Sequence, residues 1–279
     1  MAKIKQPANR KETLVTPKKT TKKVAVKKTV KKVAKKDTIV KPVAKKTRGK
    51  AARIFFIADA SGSMGHLTSD VIGGFNAYVE EQKKLKVKTT LSLILFSTDY
   101  RVIYSNVNVK DVPVLTNEVY FAGGGTALND AIGKTITDNL KSGKKNELTI
   151  VNIFTDGQEN SSKEYRDVKA VNSLVEQVQK DLKWEIVFLA SNIDAQKTGA
   201  AYGILNRNIA SYNNTGKGLS DMTKTMAYAS TYSRGIMGAA GTAGSMSMDM
   251  LDKDGTLNVD KLYKKVSTDE DKVLVKDTK

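Results

Sequence analysis

Between residues 51 and 234, short apolar runs alternate with longer stretches in which apolar residues recur every three or four positions. Residues 53–58 (RIFFIA), 148–154 (LTIVNIF) and 184–190 (WEIVFLA) are nearly all apolar, the pattern of parallel strands buried on both faces. Residues 90–96 (TLSLILF) and 100–104 (YRVIY) also read as strands. Only Ser97-Thr98-Asp99 separates them, which predicts a hairpin and an antiparallel edge. Helical spacing predicts helices over 68–85 (Val71, Phe75, Tyr78 and Val79 inward), 127–140 and 164–182 (Val168, Val171, Leu174, Val175 and Val178 inward). Weaker patterns predict a helix over 195–202, a short strand over 208–212 and a last helix over 219–232. Alternating strand and helix makes the expected fold an α/β, Rossmann-like, doubly wound and mostly parallel sheet.

The flanks break this pattern. Residues 1–50 contain no aromatic residue and three of the four prolines, with lysine doublets every four or five positions from Lys18 to Lys36 and one more at 45–46. Too few apolar side chains are present to offset the ordering entropy, so a disordered lysine-rich N-terminal arm is expected over 1–50. The folded domain is expected over 51–235. After it, Gly235, Gly238, Gly241 and Gly244 fall every third residue. Residues 236–279 therefore read as a flexible linker and a short tail with one short helix, 259–266. The run Asp252-Lys253-Asp254-Gly255-Thr256-Leu257 reads as a turn. Aligning Gly255 with the glycine of a calcium loop puts Met250 and Lys261 where carboxylates are needed.

Charge sharpens the division. The whole chain is +18, but residues 1–50 hold 19 Lys and Arg against Glu12 and Asp37, a net of +17, which leaves the remainder at +1. The arm's lysines (Lys18, Lys19, Lys22, Lys23, Lys27, Lys28, Lys31, Lys32, Lys35 and Lys36) are candidates for non-specific contact with DNA or RNA phosphates. The alternatives are a solubilising spacer and an anionic membrane surface. Without aromatics, specific single-strand recognition is not expected.

Composition removes several chemistries. Zero cysteines exclude disulfides, zinc–cysteine sites and a cysteine nucleophile, and the single His66 excludes a multi-histidine metal site. No apolar run approaches the ~20 residues of a membrane span, and residues 1–15 lack the apolar segment of a secretory signal. The expected location is the cytoplasm of a bacterial or phage-infected cell, with a virion as the alternative.

Three polar clusters fall at expected strand ends, where open parallel sheets bind ligands. Asp59-Ala60-Ser61-Gly62-Ser63 follows the first strand, Gly123-Gly124-Gly125-Thr126 precedes a helix, and Thr155-Asp156-Gly157 follows the 148–154 strand. In an extended turn Asp59, Ser61 and Ser63 face one side, and Thr126 and Asp156 can converge on the same point. Two carboxylates and three hydroxyls form an all-oxygen set suited to magnesium, with manganese or calcium as substitutes. An Asp or Glu carboxylate from a partner protein would complete the coordination.

These motifs, in this order and separation, resemble the metal-ion-dependent adhesion site of von Willebrand factor A domains, over about 52–234. The resemblance implies direct metal contacts from Ser61 and Ser63. It implies a direct or water-mediated one from Thr126, and mostly water-mediated ones from Asp59 and Asp156. Gly-Gly-Phe-Asn at 73–76, the run 124–132, the run 155–162, Trp184-Glu185 and Asn192-Ile193-Asp194-Ala195 are similar to the stand-alone A-domain proteins of bacteria and their phages. Ala190-Ser191 departs from that pattern, outside the metal set. The implied function is a non-enzymatic, magnesium-dependent protein-binding module. A phage virion or assembly component, its arm on packaged DNA, is the alternative, and a metal-dependent hydrolase a distant third. Other enzyme readings fail on spacing. Gly133-Lys134-Thr135 lacks the upstream glycine of a phosphate loop, where Leu128 stands, and Ser61–Gly65 is not a nucleophile elbow.

Overall fold

The computed structural model describes residues 49–144, 146–235 and 248–274. Six strands, β1 (Ala51–Asp59), β2 (Thr89–Phe96), β3 (Tyr100–Asn108), β4 (Glu147–Thr155), β5 (Glu185–Ala190) and β6 (Ile209–Ser211), form one sheet in the order β3-β2-β1-β4-β5-β6. All neighbours are parallel except β2 and β3, the expected hairpin edge. Six helices accompany the sheet: α1 (Thr68–Lys84), α2 (Leu128–Asn139), α3 (Val168–Asp181), α4 (Ala195–Ala201), α5 (Gly216–Ser233) and α6 (Val259–Leu274). Among the described residues no helix is long and apolar enough to cross a membrane.

The alternation within β1 builds two cores. Ile54, Phe56 and Ala58 pack with residues of α1, α5 and α6, while Phe55 and Ile57 pack with residues of α2, α3 and α4. Phe56 lies 5.2 Å from Phe75, 5.0 Å from Tyr78 and 5.9 Å from Phe154, ring centre to ring centre. A strand buried on both faces has no polar side, which is why its sequence runs apolar throughout.

Two expectations need correction. Helix α3 begins at Val168 and not at Glu164. The Asp130 carboxylate accepts the backbone N–H groups of Lys163, Glu164 and Tyr165, and Asp167 then caps the helix by accepting from Lys169 N–H. Those bonds hold residues 163–165 in a loop that a helix would dissolve. The second correction concerns the tail. Residues 250–266 pack on the body, and the helix expected to end at Val266 runs to Leu274. Val259, Leu262, Tyr263 and Val266 lie at i, i+3, i+4 and i+7 and are all buried in the α1/α5 core. The Tyr263 hydroxyl accepts from Asn213 N–H at 3.1 Å. Leu251 and Leu257 pair across the expected 252–257 turn, in which Gly255 takes a left-handed φ of 80°. The 1–48 stretch of the arm and residues 236–247 lie outside the described residues.

Candidate metal centre

The chain runs from β1 outward through β2 and β3, then crosses back to β4 on the other side of β1. The carboxyl ends of β1 and β4 therefore flank a topological switch point, the crevice where such sheets take ligands. Asp59 is the last residue of β1, and Asp156 directly follows β4.

Asp59 is fully buried and both its oxygens are engaged. Oδ1 accepts from Ser61 N–H at 2.7 Å and Oδ2 from the Thr155 hydroxyl at 2.5 Å. Burial raises its pKa above the ordinary aspartate value, opposed by these hydrogen bonds and reinforced by the nearby Asp156 charge. Ser61 is extended (φ −67°, ψ 167°), as the sequence reading required, but Ser63 is not. A 3-10 turn over Gly62–Leu67 brings it round, with Met64 N–H bonded to Ser61 C=O. The two serine hydroxyls nonetheless lie 3.1 Å apart, and Ser63 Oγ donates to Asp156 Oδ1 at 2.5 Å.

Thr126 is carried by a loop laced to both neighbours. Gly62 N–H bonds Gly124 C=O at 3.0 Å, and Gly123 N–H bonds Ala60 C=O at 2.8 Å. Gly124 has φ +79°, and a Cβ there would meet Thr98 Oγ1 at 2.6 Å, so both backbone shape and space require glycine. On the other side Asn160 Oδ1 accepts from Thr126 N–H at 2.8 Å, while Asn160 N–H donates to Thr126 C=O at 3.0 Å. A Cβ placed on Gly157 would sit 3.1 Å from Thr126 Oγ1 and 3.9 Å from Ser63 Oγ, so both hydroxyls border the Gly157 backbone.

The structure thus brings together all five residues singled out in the sequence. Whether they suit a cation can be judged from the donors themselves. Asp156 Oδ2 is buried without a hydrogen-bond partner among the described residues, a costly arrangement for a carboxylate oxygen unless something electropositive meets it. No group of three or more His, Cys, Asp or Glu able to hold a metal occurs among the described residues. The donor set here is a different one, two carboxylates and three hydroxyls, and it fits a hard, partly hydrated dication. Asp59, with both oxygens already occupied, suits contact through water.

Sequence reading missed the supports. The Tyr120 hydroxyl donates to Asp59 C=O at 2.8 Å, and that of Tyr212 to Thr155 C=O at 3.3 Å. Each tyrosine ties down the end of a strand that leads into a candidate loop, and burial lifts both phenols well above their usual range. No local signal marks them, because each partner is more than 50 residues away in sequence. Glu159 and Asp130 could have been noticed, since both fall in the motif runs. Glu159 accepts from the N–H groups of Asn129, Ser161 and Ser162 and so shapes the third loop. His66 is exposed in the 3-10 turn, with Nδ1 2.9 Å from Ser63 C=O. The arm's ten candidate lysines lie outside the described residues.

No protein-family model matches the sequence, and no curated protein matches it. Solved structures do. One is proximal thread matrix protein 1 from the mussel byssus, in a form with a zinc-occupied MIDAS motif (13% identity, TM-score 0.48, covering 64% of this chain and 48% of that one). Another is a von Willebrand factor type A structure from Catenulispora acidiphila (13%, 0.43, 64% and 42%). A third is the manganese-loaded TRAP protein of Plasmodium vivax (17%, 0.41, 55% and 63%). The chain spans about half the length of the first of these structures.

Proposed function

We propose that this chain is a von Willebrand A-type binding module. Ser61, Ser63 and Thr126 would hold a divalent cation such as magnesium directly, Asp59 and Asp156 would hold it through water, and a carboxylate of a partner protein would complete the set. The observation that carries this reading is the meeting of three loops at Ser61 and Ser63, Thr126, and Asp156, with Asp156 Oδ2 left buried and without a hydrogen-bond partner among the described residues. Bound there, the ion would supply an electrophilic position for an oxygen ligand. The protein's own share is to hold the hydroxyls within reach and to keep Asp59 from collapsing onto the ion, since Ser61 and Thr155 occupy its oxygens. Neutral hydroxyl donors leave the ion charge-hungry, which favours an anionic partner group. A single ion with two carboxylates supports binding over hydrolysis, and turnover of generic phosphoesters would reverse that reading.

Magnesium titration calorimetry tests the metal. The wild type is expected to bind, and the Asp59→Ala/Ser61→Ala variant to lose binding. Equal heats from both proteins reject the site.

The +17 composition of residues 1–50 supports a second activity, phosphate-directed contact with DNA or RNA inside a cell. Full-length protein is expected to bind duplex DNA with affinity falling steeply between two salt concentrations, and a chain of residues 49–279 to bind much more weakly. Unchanged affinity after truncation rejects the arm's role. Recovery of the protein in purified phage particles would favour the virion alternative over a free adaptor.

A further inference from the structure

Strand β3 is an outer edge of the sheet, with nine residues and no strand partner beyond it among the described residues. An edge strand leaves half its backbone N–H and C=O groups unpaired, ready for an added strand. Proteins commonly guard such edges with charge. Here the Tyr100–Asn108 segment (YRVIYSNVN) carries a single charged residue, Arg101, and exposes Val102 at 50%.

Arg101 is itself unusual. Its guanidinium lies over the ring of Phe121, 4.3 Å from the centroid, and one N–H reaches Val119 C=O at 3.4 Å. It forms no ion pair among the described residues. Phe121 is 58% exposed and follows Tyr120, the residue whose hydroxyl holds Asp59 C=O. Two residues further on, Gly123 N–H bonds Ala60 C=O. The exposed ring, with the β3 arginine stacked on it, therefore neighbours in sequence the two residues that brace the first loop, Tyr120 and Gly123. Aromatic residues and arginine are both enriched at protein interfaces relative to the rest of the surface.

We propose that the outer edge of β3, with Arg101 and Phe121, receives an extended acidic segment of a partner protein. The segment adds a strand to the sheet, sets one carboxylate against Arg101 and packs an adjacent side chain on Phe121. This rests on the metal reading above, which supplies the place for a second carboxylate. Backbone pairing selects a strand, and a cation with no acidic partner among the described residues selects negative charge. A strand added outside β3 lies three strand spacings, roughly 14 Å, from β1, the reach of about four extended residues once the segment turns across the carboxyl end of the sheet. The two acidic residues of the partner segment should therefore be separated by three or four others.

The test uses the full-length chain and a library of synthetic decapeptides with two aspartates at every spacing, screened with magnesium. Binding is expected to concentrate at spacings of three and four intervening residues. It should fall at least tenfold with Arg101→Glu and with Phe121→Ser, and again when alternate peptide nitrogens are N-methylated. Magnesium calorimetry on both variants should match the wild type. If magnesium binds but the library shows no spacing preference, or both variants bind peptide as the wild type does, the edge proposal fails alone. If the wild type binds no magnesium, the metal reading fails first. A magnesium-independent dimer that covers β3, seen by light scattering, would assign the edge to a second copy and overturn the proposal.

Discussion

Ser63 and Asp156, 93 residues apart in sequence, meet at 2.5 Å, hydroxyl to carboxylate, across the gap between β1 and β4. That contact joins the first and third loops at the point where the sheet reverses its direction of growth. A cation placed there would tie the same two loops together, so metal binding should be visible as stability. Magnesium at a hundredfold excess over its dissociation constant should stabilise the native state by about 2.7 kcal/mol. For a body of this size that corresponds to a rise in melting temperature of several degrees. In Ser63→Ala the magnesium-dependent rise should vanish in a thermal melt while the unliganded protein still unfolds cooperatively.

Asp59 offers a test by pH. Its folded-state pKa is raised, chiefly by burial, so the native state binds its proton more tightly than the unfolded chain does. Its ionised form therefore costs stability at neutral pH, and the cost is relieved as pH falls through the folded pKa. Asp59→Asn keeps an acceptor for Ser61 N–H and can donate to Thr155, whose hydroxyl has Gly157 C=O within 3.2 Å as an alternative acceptor. Without metal the variant should be more stable than the wild type at pH 7, with the difference shrinking on acidification. With magnesium the order should reverse, because only the wild type gains. Denaturant melts at several pH values, with and without magnesium, check both halves.

Gly157 separates affinity from stability. A Cβ at 3.1 Å from Thr126 Oγ1 is tight but can be relieved by a shift of a few tenths of an ångström. Gly157→Ala should change unfolding free energy by less than about 1 kcal/mol, within the usual range for a minor substitution. It should weaken magnesium binding about tenfold by displacing a ligand hydroxyl, as read by calorimetry.

The tail gives a prediction of the opposite kind, far from the metal. Leu262 is 1% exposed in the core shared with α1 and α5. Leu262→Ala should cost about 2–4 kcal/mol by urea denaturation, the range for a buried leucine, with magnesium affinity unchanged. A surface tail would lose almost nothing.

These cases show what the sequence could and could not reveal. The strands were legible because burial on both faces leaves runs such as RIFFIA and LTIVNIF, and the Ser97–Asp99 joint allowed only a hairpin. All five candidate metal residues were legible because each sits within a few residues of a strand end or helix start, where topology alone brings them close. The start of α3 was not, because the side chain that holds 163–165 out of the helix is Asp130, on another element. Tyr120 and Tyr212 were invisible for the same reason. The docking of α6 was legible in part. Val259, Leu262, Tyr263 and Val266 formed a helical stripe, but the glycine-rich stretch before it and the charges between its members drew the reading toward an appendage.

The lacing of the three loops has a consequence for how the site would work. Gly62 and Gly123 bind the first loop to the second by backbone bonds, and Asn160 binds the second to the third from both its side chain and its backbone. Asp130 and Glu159 then fix the far side of the third loop. None of these bonds involves an ion. The socket is therefore shaped before anything enters it, and little chain entropy remains to be lost on binding. Affinity at such a site is governed by how well ion and partner match a fixed form, and exchange of one ion for another can proceed without refolding of the loops.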